Sequence, residues 1–419
     1  MITIGLIGLI VFLILLGQPL YVIVGSISAF CFHFIAQEEI KNIISDIFYA
    51  GDKEILLAIP LFVLAGNLMT QGSISKRLIR LAAALTAPIP SGMAIASVLS
   101  CALFAAISGS SPVTLIAVGT ILYPALIEKG YSKNLSIGIL SAGGTLGIII
   151  PPSIPMIIFA IMAGVSVTKL FMAGIGPGIL LSFLLISYAV VAGPGFSDKG
   201  RWDSKEVLAS LKSGFLSLIM PIVILGGIYS GFFTATESAA IAVVYAFIVE
   251  AFIHRELKFR MLPRIFSETS EMLGTIFIIL VLAVSLNKFM TYEQIPQMLV
   301  DAMSGFVRGK ISFLIGVNLL LLVVGCVMDI MSAILILAPI LTPMAKVFGI
   351  DPVHFGILMI VNLEIGYLTP PVGINLFVAS GIFNENLGKV IKSILPLIGV
   401  LLIGLVLITF IPKISLFLL

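Results

Sequence analysis

Apolar runs long enough to cross a bilayer recur from residue 2 to residue 419, with only short polar intervals between them. A spanning helix takes about 20 such residues, and lipid offers no partner for an unpaired peptide group. The pattern therefore predicts an all-α polytopic membrane protein with nearly all of its mass in the lipid bilayer. The charged fraction, 10% against 60% hydrophobic with a mean hydropathy of +1.23, is less than half that of a soluble domain and excludes one. The net charge of +3 comes from basic residues gathered in a few short loops, which is no footprint for nucleic acid. Residues 2–16 have no basic residue before them and no small-residue cleavage site after them, so a retained helix is expected there rather than a secretory signal. Cys31, Cys101 and Cys326 lack paired spacing, so neither disulfides nor thiolate metal sites are expected. His33, His254 and His354 are far apart and read as single tolerated residues.

Glycine, proline and charge punctuate the runs. Helices are expected near residues 2–16, 18–35 and 55–70, followed by an amphipathic stretch at 74–88. The apolar stretch 91–127 is interrupted by Ser108-Gly109-Ser110-Ser111-Pro112, where proline breaks a continuous helix, so a re-entrant hairpin is expected. A broken helix over 134–165 and a last one over 170–193 follow. The order then recurs, with helices at 213–231, 236–252 and 268–288, an amphipathic piece at 293–307, an interrupted stretch at 311–345, and spans at 352–382 and 393–412. A shift of 219 residues lays Pro124 on Pro343, Gly130 on Gly349, Gly147 on Gly366, and Pro151-Pro152 on Pro370-Pro371. Breakers fall on breakers, the mark of an internal repeat.

Each repeat is read as three helices, a re-entrant hairpin, a broken helix and a final helix. Five traversals per repeat put the two in inverted topology. Under that threading Lys76-Arg77-Arg80, Lys129 with Lys133, Lys199-Arg201-Lys205-Lys212 and Arg255-Lys258-Arg260-Arg264 share one side, which should be cytoplasmic. Residues 37–54 and both termini then lie outside, as do Lys288, Arg308 and Lys310 against the charge trend.

Backbone that leaves the helix at membrane depth is tolerated only where it lines protein or a water cavity. Four such places are expected: hairpin tips at 108–114 and 325–332, and breaks at Gly143-Gly144-Thr145-Leu146-Gly147 running into Pro151-Pro152-Ser153 and at Glu364-Ile365-Gly366-Tyr367-Leu368-Thr369-Pro370-Pro371. Freed carbonyls and hydroxyls are hard ligands suited to sodium, and half-helix N-termini suit a carboxylate. The plainer alternative is that Gly and Pro only pack and kink these helices. Asp329 is the lone carboxylate of the second hairpin stretch, at an insertion cost of roughly 2.5–3.5 kcal/mol. It either binds a cation or proton or caps the returning helix, and Glu364 carries the same ambiguity. Glu237, in Phe233-Thr234-Ala235-Thr236-Glu237-Ser238, is expected to form a capping box with a threonine at a helix start.

The stretches Ala58-Ile59-Pro60-Leu61-Phe62-Val63-Leu64-Ala65-Gly66-Asn67, Ser108-Gly109-Ser110-Ser111-Pro112, 143–155, 233–239 and 366–375 resemble the large membrane subunit of TRAP transporters, the tripartite ATP-independent periplasmic systems. The resemblance covers essentially the whole chain. One departure is Ala235, where the family usually has proline, which weakens the helix start expected there.

The resemblance implies an elevator-type mechanism of the ion transporter superfamily kind, in a bacterial inner membrane, with sodium as coupling ion and no other cofactor. It also implies a small four-helix membrane subunit, a periplasmic substrate-binding protein, and a small organic anion as cargo: a four-carbon dicarboxylate, another carboxylate or a sialic acid. On that picture Ser110, Ser111, Gly144 and Thr145 help hold one sodium, and Gly325, Asp329, Gly366 and Thr369 the second. Ser108, Ser153, Ser332 and Asn375 lie where substrate could reach. Residues 1–90 and 194–310 would be scaffold helices with their arms, and 91–193 and 311–419 the two halves of a moving transport domain. There is no P-loop, so no nucleotide drive is expected. Two alternatives stand beside this: a stand-alone sodium-coupled carrier or antiporter of similar architecture, and an intramembrane protease using Ser110 or Asp329. The protease lacks an evident base or second aspartate.

Overall fold

The computed structural model describes residues 2–37, 39, 41–194, 200, 202–303, 307 and 309–419. Lys199, Arg201 and Arg308 of the basic loops lie outside the described residues, as do positions 38 and 40 of the acidic segment 37–54 and positions 304–306 of the second amphipathic piece. Among the described residues there is no strand.

The first half opens with α1 (Ile2–Leu15) and α2 (Leu20–Phe30), which ends in a π-helical turn, Cys31–Ile35. Next come α3 (Lys41–Gly51), α4 (Ala58–Gln71) and α5 (Ile74–Thr86). Two helices joined by a two-residue turn, α6 (Gly92–Ser108) and α7 (Ser111–Glu128), precede the broken run α8 (Lys133–Gly144), α9 (Leu146–Ile149) and α10 (Ile154–Ala163), and α11 (Val167–Ala192) closes the half.

In the second half α12 (Ser204–Tyr229) and α13 (Ala235–Ile248) lead, α13 also ending in a π-helical turn, Val249–Ile253. They are followed by α14 (Leu262–Tyr292), α15 (Ile295–Met303), α16 (Lys310–Val327) and α17 (Ile330–Val347). The second broken run is α18 (Pro352–Tyr367) and α19 (Ile374–Phe383), before α20 (Leu387–Phe410) and the short α21 (Lys413–Leu416). Among the described residues nine helices are long and apolar enough to cross a membrane, or ten if the α8–α10 run, bent by 42°, counts as one span.

Several boundaries depart from the hydropathy reading, for identifiable reasons. Helix α12 begins at Ser204 rather than near 213 because Asp203 caps it, accepting from the Lys205 and Glu206 amides at 2.9 and 3.3 Å. Helix α14 likewise overruns 268–288 at both ends, its first turns carrying the Arg264–Glu268 ion pair at 2.7 Å. Hydropathy marks where lipid begins, whereas caps and ion pairs decide where the helix begins. The segment 37–54, given no helix in the hydropathy reading, contains α3, which buries Ile43 and Ala50 and anchors to α14 through Asp46 and Lys288 at 2.6 Å. The helix start put in doubt by Ala235 forms regardless. Thr234 accepts from the Glu237 amide and Glu237 accepts from the Thr234 amide, a complete capping box that needs no proline.

The outer faces of the long helices are apolar and exposed, as at Ile179, Phe183, Val191, Ile222, Leu319 and Val323, in keeping with a lipid surround. Polarity collects inside. Helices α2, α3 and α4 pack on α14, α4 on α13, and α5 on α12, where Arg80 forks onto Glu206 at 2.7 and 2.9 Å. Helices α7, α6 and α20 pack on α8, α16 and α17 on α18, and α10 on α17. The two groups meet chiefly where α6 crosses α5 and α4, and where α17 crosses α14 and α15.

Candidate functional site

Each half turns its chain in the interior and sets that turn against a break. In the first, α6 stops at Ser108, Gly109 takes a left-handed conformation with φ +60°, Ser110 is extended, and α7 starts with Ser111-Pro112. Proline in the first helical turn forfeits no bond, because the first amides have no partner in the helix. Hydroxyls tie the turn together: Ser108 Oγ and Thr114 Oγ1 are 2.6 Å apart, and Thr114 Oγ1 donates to the Ser110 carbonyl at 2.9 Å. The break follows α9 at residues 150–153 and contacts the turn directly, the Ile154 amide donating to the Gly109 carbonyl at 3.4 Å.

The second half uses a different device for the same geometry. Met328 and Asp329 are extended between α16 and α17, and the Asp329 carboxylate caps α17 by accepting from the Ser332 amide at 2.9 Å. Of the two roles open to Asp329 from sequence, the cap is present. The break lies between α18 and α19, where the Val372 and Gly373 amides both donate to the Cys326 carbonyl at 3.2 Å. Both diproline pairs, Pro151-Pro152 and Pro370-Pro371, have cis peptides.

The non-helical gaps are narrower than expected. Only Gly109 and Ser110 leave the helix at the first tip, and only Met328 and Asp329 at the second. Gly143 and Gly144 stay in α8 with a single kink at Thr145, and Glu364 through Tyr367 stay in α18. Glycine in these stretches serves close approach more than unwinding. A Cβ on Gly147 would fall 2.5 Å from the Ser110 carbonyl oxygen and from Thr114 Oγ1, and one on Gly366 would fall 2.6 Å from the backbone of Gly325.

Both tips face one cavity of about 510 Å³. The first turn of α7 (Ser111, Pro112) and of α17 (Ile330, Met331) line it with Ser110, Asp329, Ile148, Pro155 and Tyr367, and α14 closes it with Glu268, Glu271, Met272, Thr275 and Ile276. Two helix N-termini thus open onto the same space. None of the lining residues is basic, and three are carboxylates.

Of the residues expected at the sites, Ser110, Ser111 and Asp329 reach the cavity. Gly144, Thr145, Gly325, Gly366 and Thr369 stand behind it, with Thr145 Oγ1 bonded to the Ala142 carbonyl at 2.5 Å and Thr369 Oγ1 to the Ile365 carbonyl at 2.7 Å. Ser108, Ser153, Ser332 and Asn375 are buried and do not line it. Ser153 caps α10 through the Met156 amide at 3.4 Å. Sequence reasoning missed Glu268 and Glu271, since two acids on a helix near a basic loop look like an ordinary wetted end. It noticed Glu364 without assigning it to the site, although a lone carboxylate in the sixteen-residue α18 was a usable signal.

Residues 6–414 match the family described as "Tripartite ATP-independent periplasmic transporter, DctM component". The chain belongs to the DctM family. Among relatives, it is 41% identical over 394 residues to the C4-dicarboxylate TRAP transporter large permease protein DctM of Pseudomonas aeruginosa, covering 94% of this chain and 92% of that one. It is 40% identical over 370 residues to the isethionate TRAP transporter permease protein DctMQ of Oleidesulfovibrio alaskensis, covering 86% of this chain but only 58% of that longer relative. Among solved structures, the YdaH transporter of Alcanivorax borkumensis superposes with a TM-score of 0.62 at 16% identity, covering 88% of this chain and 86% of that one, a likeness of fold alone. DctM proteins are components of transporters rather than enzymes. That family and the long apolar helices make this a multi-pass membrane protein, and the protease alternative is set aside.

Proposed function

We propose that this chain is the large permease subunit of a sodium-coupled importer of a small organic anion, with four-carbon dicarboxylates and related carboxylates or sulfonates as the substrate class. The observation that carries this reading is the cavity onto which two interior helix N-termini open without any basic side chain. An anion there is met by the positive ends of two helix dipoles, and the nearby carboxylates call for cations to balance the site. Sodium fits that need. Hydroxyl, carboxylate and backbone carbonyl oxygens of Ser110, Ser111, Gly144 and Thr145 in one half and of Gly325, Asp329, Gly366 and Thr369 in the other would supply its hard ligands. The substrate range is supported by the C4-dicarboxylate and isethionate relatives.

A small four-helix membrane subunit and a periplasmic substrate-binding protein complete the system, a reading supported by the tripartite family and by a relative designated DctMQ. Residues 91–193 and 311–419 would move as the transport domain against a scaffold of 1–90 and 194–310, in an inverted-repeat, elevator-type cycle with both termini periplasmic. The packing of α8 against α7 and α20, and of α18 against α16 and α17, supports that division. One excess positive charge carried inward gains about 2.3 kcal/mol per 100 mV, enough for roughly 50-fold accumulation before the sodium gradient adds its share.

The test is uptake of labelled C4-dicarboxylate or isethionate by proteoliposomes holding this chain with its small subunit. Uptake should require both an inward sodium gradient and the binding protein. Full uptake by this chain alone would favour the stand-alone carrier, and sodium-independent uptake would refute the coupling.

A further inference from the structure

A second cavity, of about 370 Å³, also borders α7 but shares no lining residue with the first. Ser111 and Pro112 face the first cavity, whereas Val113, Ile116 and Thr120, further along α7, face the second. The opposite wall of the second is the end of α4 and the start of α5, with Asn67, Gln71, Gly72, Ser75 and Lys76. Asn67 Nδ2 donates to Thr269 Oγ1 at 2.8 Å, and Thr269 follows Glu268, which lines the first cavity. The two spaces are therefore neighbours, bridged by one hydrogen bond.

Their charges are opposite. Three carboxylates and no base line the first cavity, while Lys76 and no carboxylate line the second. Lys76 makes no ion pair among the described residues, in contrast to Arg80, which is taken up by Glu206. Glu250 stands behind the Gly72 turn without lining the cavity, and its carboxylate is met by the Ser73 amide at 3.0 Å and by His254 Nδ1 at 3.2 Å.

The second cavity also holds donors with nothing to donate to. Serines within these helices commonly spend the hydroxyl on the carbonyl one turn back, as Ser28 does on Val24 at 2.9 Å and Ser182 on Gly178 at 2.7 Å. Ser75 is only 4% exposed and lines the cavity, yet its hydroxyl has no partner among the described residues. A buried hydroxyl left in that state is unfavourable unless a ligand meets it. No side chain caps α5, so the amides of its first turn, beside Ser75 and Lys76, keep their donors at the positive end of a thirteen-residue helix.

We propose that this cavity is a second anion site, which takes a small carboxylate or sulfonate without sodium and receives the cargo as it leaves for the cytoplasm. The release role rests on the transporter reading above, and the anion site does not. In that reading sodium balances the carboxylates of the first cavity, and its departure leaves three negative groups that repel the anion. The neighbouring cavity then offers Lys76, the Ser75 hydroxyl and the α5 amides. Helices α4 and α5 belong to the scaffold and α7 to the transport half, so the site straddles the surfaces that slide. Lys76, Arg77 and Arg80 fall on the cytoplasmic side of the threading, which makes this the release side.

Lysine acetylation, read residue by residue by mass spectrometry, tests the site on the chain with its small subunit in phosphatidylcholine nanodiscs. Succinate should protect Lys76 in choline as fully as in sodium, while the exposed Lys205 and Lys212 label unchanged. Protection that needs sodium, no protection, or equal protection of all three lysines would overturn the assignment. Ser75→Ala should require several-fold more succinate for the same protection, and an unchanged requirement would overturn the site as drawn. Protection of Lys76 by phosphatidylglycerol without succinate would give the cavity to a lipid headgroup and overturn the cargo-anion site. In proteoliposomes with the binding protein outside, Lys76→Gln should raise about fivefold the internal succinate that half-inhibits uptake, the effect of one charge at about 4 Å in water. An unchanged half-inhibition would overturn the release role. Absence of any anion uptake by the wild type counts against the proposed function instead, with the acetylation result still deciding the anion site.

Discussion

Substituting Gly366 by alanine probes the closest contact in the second half of the site. The added Cβ would lie 2.6 Å from Gly325 Cα and carbonyl carbon and 3.0 Å from the Cys326 amide nitrogen. All three are backbone atoms and cannot rotate away. Ordinary contact begins near 3.4 Å, so α16 and α18 must part by roughly 0.8 Å. Parting stretches the bonds from Val372 and Gly373 to the Cys326 carbonyl from 3.2 Å to about 4 Å, beyond hydrogen-bond reach. Overpacking of this kind costs about 1–3 kcal/mol, and the distortion falls on the turn proposed to hold sodium. The expected result is a lowered melting temperature in detergent and a several-fold weaker sodium dependence of uptake. Gly316→Ala on the same α16 is the control, because no atom lies within 4 Å of its Cβ and alanine is favoured in a helix by about 0.5–1 kcal/mol. Gly366→Ala with wild-type melting and wild-type sodium dependence would refute the close-packing argument.

Four further outcomes are expected. Ser111→Ala and Thr369→Ala should weaken sodium-dependent uptake without lowering expression, and unchanged sodium titrations in both would remove them from the proposed sites. Asp329→Ala should lose a cap of about 0.5–2 kcal/mol in thermal unfolding while Asp329→Asn keeps most of it, so equal losses would contradict the cap. Thr234→Ala should cost about 1 kcal/mol by the same assay through loss of the capping box, whereas Ala235→Pro should be tolerated. Outside the membrane spans, Lys133 and Lys389 hold the Glu385 carboxyl down to about 2 from 4.5. A depressed carboxyl contributes stability above its ordinary range that is lost as pH falls toward 2. Melting curves of wild type and Glu385→Gln should therefore converge on acidification between about 4.5 and about 2, and a constant gap would contradict the ion-pair assignment.

The helical class was legible because lipid permits so few solutions that apolar length suffices. Turn positions were legible because Pro112, Pro151-Pro152 and Pro370-Pro371 cannot continue a helix. How much backbone would unwind was not, since Gly144, Gly147 and Gly366 look the same in sequence whether they loosen a helix or admit a neighbour, and here they admit one. Helix α3 was not legible because its length and charges fall short of a membrane span, and the partner that anchors Asp46, Lys288, lies some 240 residues away. The joining of Ser111, Glu364 and Asn375 depends on three elements meeting across the two halves, which no local pattern encodes.

In the proposed transporter, helices interrupted inside the membrane hold the coupling ions beside the cargo. A cryo-EM structure of the chain with its small subunit in nanodiscs, solved once in sodium and once in choline, addresses it directly. The sodium map should contain density within ligand distance of freed carbonyls at both turn-and-break pairs, absent from the choline map. Identical maps at both pairs, or turns 109–110 and 328–329 lying against acyl chains, would contradict the account.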